Sequence, residues 1–443
     1  MNRKNTIVVI GAGAAGLMAA AAASEAGAQV TVLEHNEKAG KKIYITGKGR
    51  CNFTNACDTQ NFFRSVVRNP KFLYSALYDF DQQQMIRFLE NNGCPTKVER
   101  GNRAFPQSDH ASDVTAALVR CCQRNGVKFS YRTEVSRITC VSGRAAGVVT
   151  RTGEKIPADA VILASGGISY PSTGSTGDGY RFAEELGLEV VKCSPSLVPL
   201  ETADGWEESL QGLSLKNVAV SMTPWEKDEG HGGKRRKPLY SGFGEMMFTH
   251  FGVTGPLILS ASAHCDFDRF PEGFLMALDL KPALDEEQLC RRLEREFSLA
   301  PHKELAHAVR PLFPERLASV VAQQYTRALE GGIFGIRPSA QGGTERQAYT
   351  FNSAEIRALA SLIKAVPMHI SSKRGFNEAV VTRGGISVKE VDPSTMECRK
   401  VPGFYIAGEV LDVDALTGGY NLQIAWSTGH LAGSSAAKAP AAH

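Results

Sequence analysis

At 443 residues, with 50 Lys+Arg against 46 Asp+Glu, the chain has room for two or three domains and a formal charge of only +4. That balance excludes the strong basic excess of a dedicated nucleic-acid binder. A hydrophobic content of 43% with 22% charged residues fits an ordinary globular protein. No run of eighteen apolar residues occurs, and the N-terminus MNRKNTIVVIGAG lacks a long h-region and a small-residue cleavage site. The ten cysteines are scattered without a CxxC pair, which suits reduced thiols and argues against a disulfide framework or a zinc site. A cytoplasmic protein with no metal, no stable membrane insertion and no nucleic-acid partner is expected.

Taken in chain order, TIVVI (6–10) reads as a strand buried on both faces. GAGAAG follows, then LMAAAAASEAG, a strong helix former stopped by Gly27. QVTVLE (29–34) is the next strand, completing a βαβ unit. Gly11 allows the tight turn, Gly13 lets backbone approach a pyrophosphate, and Gly16 lets helix and strand pack closely. Glu34 is placed to accept hydrogen bonds from an adenosine ribose, and an acid there argues against a 2′-phosphate. The helix start supplies N–H groups and partial positive charge for phosphates.

Next comes GKKIYITGKGRCNFTN (40–55), four cationic side chains and three glycines around a short apolar run. Residues 41–130 mix loops with helical stretches, among them 76–93 and 112–126, each ending in or near Asn-Gly. Residues 128–167 alternate in short runs separated by Gly-containing turns, a β-meander leading into the buried strand AVILA. From about 195 the texture becomes β-rich around a basic loop, and 283–348 has a helical pattern. Strands return at 366–372 and 377–391. FYIAGE (404–409) is another buried strand, followed by a Gly-Gly turn and a helix from about 421. The expected division is 1–194 and 376–443 for a nucleotide-binding domain, 195–282 with 349–375 for a β-rich insert, and 283–348 for a helical insert.

ASGGISYPSTGSTGDGY (164–180) suits a second pass of the chain along a dinucleotide. An acid just after the 404 strand can bind flavin ribityl hydroxyls, and the helix start near 420–423 can direct its dipole at the flavin N1–C2=O edge. These features select FAD over NAD alone. Glu409 is the acid nearest the strand, with Asp412 and Asp414 competing for the same role. A second dinucleotide fingerprint and a CxxxxC redox pair are both missing.

GAGAAGLMAA, GKKIYITGKGRCNFTN, ASGGISYPSTGSTGDGY, FTHFGVTGPLILSAS and GEVLDVDALTGGYNLQIAWSTGHLAG together resemble, in order, the BaiN/RdsA family of FAD-dependent oxidoreductases, also called the aminoacetone-oxidase family. The resemblance implies an α/β fold: a discontinuous Rossmann-like FAD-binding domain of the glutathione-reductase type, with an inserted β-barrel-like domain carrying a small helical domain. By matching position it implies FAD contacts at Gly11, Gly13, Ala14, Ala15, Gly16 and Glu34. A second group is Lys42, Gly47, Gly49, Arg50, Cys51 and Asn52. Val135, Ala164, Ser165, Gly166, Gly408, Glu409, Asn421, Leu422 and Gln423 complete the implied set. In the cationic stretch, Gly47 and Gly49 would let backbone reach the cofactor while Lys42 and Arg50 offset phosphate charge.

The expected activity is hydride transfer between flavin N5 and a small-molecule substrate, with NAD(P)H as reductant. Members of the resembled family are linked to reduction of steroid-like enones, to amine oxidation and to NAD(P)H-dependent electron transfer. One alternative is a flavin oxidase passing electrons from an amine to O₂; another is an RNA-associated flavoprotein such as a tRNA modifier. His250 is a candidate proton donor, set against a packed loop residue. Cys51 is a candidate reactive group, set against close packing. Arg383 reads as an anion contact or a surface ion pair, GGKRRKPLY (232–240) as a solvated hairpin tip set against an RNA or anionic-membrane contact, and Cys121-Cys122 as buried thiols.

Overall fold

A computed structural model describes residues 4–225, 237–335 and 343–439. The chain forms two compact units, one from residues 1–197 and 375–443, the other from 198–374.

The discontinuous unit is built on a five-stranded parallel sheet. Strand β1 (Thr6–Ile10) lies between β2 (Gln29–Glu34) and the strand Ala160–Leu163. Lys128–Tyr131 extends the sheet beyond β2, and Phe404–Ile406 extends it beyond 160–163. Register puts Val9 opposite Ile162 on one side and Val32 on the other. All three are fully buried, as a strand covered on both faces requires.

Helix α1 (Ala14–Glu25) explains the alanine run. Its residues from Ala15 to Ser24 are buried all round, and the last helix, Tyr420–Lys438, packs directly against it. A Cβ on Gly429 would come within 2.3 Å of the Ala15 carbonyl oxygen, and one on Gly433 within 2.2 Å of that of Ala19. The two helices therefore touch backbone to backbone, which only small side chains allow.

Around this core sit a three-stranded meander (Val135–Val141, Arg144–Thr150, Lys155–Pro157), an antiparallel pair (Val190–Ser196 with Val381–Ile386), and a small sheet including Thr54–Asn55. The helical stretch expected over 76–93 is broken. Helix Tyr74–Asp79 ends, and Asp81 starts a new one, Gln82–Asn91, through a capping box with Gln84.

The second unit contains a closed six-stranded barrel, ordered Leu200–Thr202, Gly252–Thr254, Tyr240–Phe248, Ser214–Pro224, Phe274–Asp279 and Val366–Lys373. Its helices include Glu286–Leu299 and Glu315–Glu330. Helical structure also runs past 348, into the stretch expected to be β-rich: Asn352 caps Ser353–Lys364 with Glu355, and Ile356, Leu359 and Ile363 recur on its buried face. Barrel and helices share one hydrophobic cluster containing Met246, Phe274, Leu293 and Leu359. Residues 232–236 of the basic loop lie outside the described residues. Among the described residues no helix is long and apolar enough to cross a membrane, and no His/Cys/Asp/Glu group could hold a metal.

Candidate functional site

Three central strands of the sheet end at Ile10, Glu34 and Leu163, and a fourth at Ile406. Because they are parallel, these ends share one edge, where ligands of open α/β sheets bind. The segments beginning at Gly11, Ala164 and Gly408 all leave from it.

The first turn is held tightly. Gly11 has φ +102°, donates its N–H to the Leu33 carbonyl at 2.8 Å, and leaves no room for a Cβ, which would lie 2.6 Å from the Ala164 oxygen. A Cβ on Gly16 would meet the Gly11 oxygen at 1.9 Å. Beside Gly13 the space is open: nothing lies within 4 Å of where its Cβ would be. Gly13 begins α1 with no side-chain cap, so the first-turn N–H groups near Ala14 and Ala15 are left for another acceptor.

Glu34 is buried and ties this turn to β2. Its Oε2 accepts the Ala12 N–H at 2.7 Å, and its Oε1 accepts the N–H and Nδ2 of Asn36, each at 2.8 Å. The Thr133 N–H donates to the Glu34 carbonyl, which sets Val135, at the start of the meander, close behind it in sequence.

The cationic stretch is not one continuous loop. Lys41–Ile45 forms a helical turn, α2, and the chain then reverses through Gly47, Lys48, Gly49 and Cys51, all with φ between 58° and 86°. Left-handed backbone at Lys48 and Cys51 costs strain that glycine would avoid. Lys42 leaves α2 to meet Glu409, Nζ to Oε2 at 2.9 Å, and Ser169 Oγ at 2.9 Å. Ser169 Oγ and the Thr382 N–H donate to Glu409 Oε1 at 2.6 and 2.9 Å. Burial pushes the Glu409 carboxyl up, but the Lys42 ammonium and these hydrogen bonds outweigh it and hold the group below the usual carboxylate range.

Arg50 turns elsewhere. Its guanidinium bonds Glu99 and Asp109 at 2.5–2.8 Å and covers the Phe105 ring at 4.2 Å. This side chain is thus committed to two protein carboxylates. Cys51 is fully buried, and burial together with neighbouring Cys94 pushes its thiol far above the ordinary value. Such a buried thiol favours close packing over reaction. Asn52 differs: its Oδ1 is buried with no hydrogen-bond partner.

Ala164 continues the sheet by donating to the Ile10 carbonyl at 2.9 Å, and Ser165 Oγ is buried and unpartnered. Gly166 has φ +76°. Gly408 (φ +80°) brings the last strand against α1, where its Cβ would lie 2.7 Å from that of Ala15. At the start of the last helix, Gly419 provides no side-chain cap. The Asn421 side chain is spent on the preceding loop, accepting the Ala415 N–H at 2.9 Å and donating to the Ala415 oxygen at 2.8 Å. Gln423 points into the core, bonded by Thr54 Oγ1 at 2.7 Å. Leu422 is half-buried. What this turn can offer a ligand is backbone N–H, not the Asn and Gln side chains.

The three acids of the last motif separate. Asp412 forms a bidentate pair with Arg68, at 2.9 and 3.0 Å, and accepts from Asn69. Asp414 is fully buried and takes one hydrogen bond from Ser196. Glu409 alone joins Lys42, Ser169 and Thr382. His250 belongs to the barrel unit, exposed and edge-on to Phe251 at 5.0 Å. Ser169, Thr382 and Asn36 were not foreseen; the small polar residues after ASGG were the available signal for Ser169, and no spacing rule marks Thr382.

An open space at Gly13, uncapped helix starts at Ala14 and Tyr420, and buried unpartnered Asn52 and Ser165 fit a dinucleotide extended along one sheet edge. A family model described as HI0933-like protein Rossmann domain matches residues 5–435. The 3-dehydro-bile acid delta(4,6)-reductase of Clostridium scindens is 32% identical over 443 residues, 98% of this chain and 100% of that one. A ribosomal RNA dihydrouridine synthase of Escherichia coli is 31% identical over 421 residues, 95% of each chain. In fold the chain is similar to 3-ketosteroid delta1-dehydrogenase from Sterolibacterium denitrificans, with a TM-score of 0.50 at 13% identity over 98% of this chain and 99% of that one. The chain belongs to the HI0933-like Rossmann-domain family, the BaiN/RdsA-type FAD-dependent oxidoreductases.

Proposed function

We propose that the protein binds one FAD along the sheet edge and reduces a C=C bond conjugated to a carbonyl in a small molecule, with NAD(P)H as reductant. The observation that carries the FAD placement is the shared edge from which Gly11, Ala164 and Gly408 depart. Support for the substrate class comes from the two relatives, whose names describe a delta(4,6)-reductase and a dihydrouridine synthase. Both names denote saturation of a double bond. The unbridged cysteines support a reducing, cytoplasmic compartment.

Bound FAD supplies a hydride acceptor and donor at N5. The chain's own residues bind and orient it. The open space at Gly13 and the first-turn amides of α1 take the pyrophosphate. Glu34, already clamped to the turn, offers its remaining lone pairs to ribose hydroxyls. Glu409, kept ionised by Lys42, serves the ribityl chain, and the uncapped start of the last helix stabilises negative charge at the pyrimidine edge. The backbone of 47–52 lines the same site, with Asn52 Oδ1 as an unfilled acceptor.

The test is anaerobic mixing of purified FAD-loaded protein with NADH and with NADPH, followed by a 3-oxo-4-ene steroid. Flavin bleaching by a nicotinamide and recovery on adding the enone is the expected result. Bleaching reversed only by O₂ favours the oxidase reading. A second reading, reduction of uracil in RNA, rests on the dihydrouridine synthase relative; recovery with uridine-containing RNA and not with the enone would select it.

A further inference from the structure

The loop between Leu411 and Gly419 connects Glu409 to the last helix, and it carries two buried acids treated in opposite ways. Both oxygens of Asp412 bond Arg68, and Asn69 adds a further bond. Asp414 is less well supplied. Its Oδ2 accepts one hydrogen bond, from Ser196 Oγ at 2.9 Å, and its Oδ1 is buried with no partner. A buried charged carboxylate normally gathers several donors or a direct ion pair. One oxygen bonded and one left bare is an arrangement in which the bare oxygen can take up a proton without breaking a hydrogen bond.

The charged groups facing Asp414 are Arg383 on the 381–386 strand, Arg68 on the preceding loop, and Asp412 on its own loop. Burial pushes Asp414 up to about 6, against the pull of Ser196, Arg383 and Arg68, and Asp412 pushes the same way as burial. Its position is fixed as well. The Asp414 carbonyl accepts the Val67 N–H at 2.8 Å, and the next residue, Ala415, is gripped on both its N–H and its oxygen by Asn421. Asn421 lies in the first turn of the last helix. A rigid two-residue connection therefore joins the carboxyl to the helix start assigned above to the flavin's pyrimidine edge.

We infer that Asp414 is a proton-holding side chain of the flavin site, which takes up a proton from solvent when negative charge arrives at the start of the last helix. This rests on the FAD placement proposed above. Two electrons from an external donor and one proton convert the oxidised flavin to its anionic reduced form; the Asp414 carboxylate binds a second proton to become the neutral acid. Reduction then consumes more than one proton per electron pair, the excess over the flavin's own being the fraction of a proton taken up by Asp414. A like charge nearby raises a carboxyl's affinity for its proton, here by roughly one pH unit.

The experiment is redox-difference infrared spectroscopy of the FAD-loaded protein, reduced electrochemically at pH 7. A protonated-carboxyl band gained on reduction in the wild type and absent in Asp414→Asn is the expected result. The same band in both forms, or in neither, overturns the inference. Ser196→Ala keeps the acid but removes its hydrogen bond. It should shift Asp414 about tenfold toward the protonated form, raising the pH midpoint of its carboxyl band by about one unit in the oxidised protein; an unchanged midpoint also overturns it. Failure of the protein to take up FAD overturns the functional reading instead. In that case the apoprotein, titrated from pH 5 to 7, still reports: loss of a carboxyl band missing from Asp414→Asn upholds the proton-holding site, and no such loss overturns it.

Discussion

Removing Lys42 isolates the role of the Glu409 cluster. In Lys42→Met the apolar stem is kept and the ammonium lost, so Glu409 retains only Ser169 Oγ and the Thr382 N–H. The Glu409 side chain is 19% exposed and Lys42 27%, so the pair is largely withdrawn from water. Breaking a buried pair by deleting one partner costs about 3–5 kcal/mol, and the partial exposure here reduces that to about 2–3. Glu409→Gln leaves a milder defect, and the double variant should show a coupling of about 1–2 kcal/mol. The sign with pH follows from the direction of the shift. Glu409 is held below its ordinary value of 4.5, so its stabilisation is complete above that value and is lost as pH falls through the lower, folded value. In Lys42→Met burial dominates and the carboxyl titrates above its ordinary range, so the gap to wild type closes on acidification. Urea unfolding of the apoprotein at pH 8 and pH 5, read by Trp426 with Trp206 and Trp225 replaced by Phe, measures all four corners of the cycle. Additivity at pH 8 to within about 0.5 kcal/mol would refute the coupling.

Glu34→Ala strands the buried Ala12 N–H, so the apoprotein should lose about 1–3 kcal/mol in urea and the purified protein should lose FAD; full flavin occupancy would show that Glu34 serves only the turn. Gly429→Ala forces the last helix off α1 and should cost about 1–3 kcal/mol, read as a lowered urea midpoint. Asp414→Asn should be more stable than wild type at pH 8 by about 3 kcal/mol. The native carboxyl is raised from 3.8 to about 6, so its stabilising contribution is complete below pH 4 and lost as pH rises through 6. Cys51 should resist iodoacetamide at pH 8 in the folded protein, and rapid labelling under native conditions would contradict its buried, protonated state.

The first βαβ unit was legible because every requirement in it is local. Gly11 needs positive φ, Gly16 needs close approach, and both lie within six residues of a strand whose composition marks it as buried. The parallel sheet followed from the βαβ pattern, and the barrel from the family resemblance. What escaped was long-range. Lys42 meets Glu409 across 367 positions, and Ser169 and Thr382 join them from two further segments. Arg50 resembled a phosphate ligand by its glycine neighbours, yet Glu99 and Asp109 lie beside it for reasons that only the folding of the 96–109 segment supplies. Asn421 and Gln423 sit at the expected helix start, but which way each side chain turns depends on Ala415 and Thr54. The helix over 353–364 was hidden by its short, strand-like flanks, although its Asn352–Glu355 cap was there to be found.

The backbone contact of Gly429 and Gly433 with Ala15 and Ala19 also orders events on the ribosome. The unit of residues 198–374 is contiguous, so all of its internal contacts are available as soon as it has emerged. Those of the nucleotide-binding unit are not, since α1 stays half-covered until the chain has been made through the 430s and the edge strand 404–406 is available. For most of translation an apolar alanine helix therefore waits without its partner. Chaperone capture during synthesis should map to residues 14–25, and a ribosome stalled before Tyr420 should hold a chain whose insert resists protease while its N-terminal βαβ unit does not.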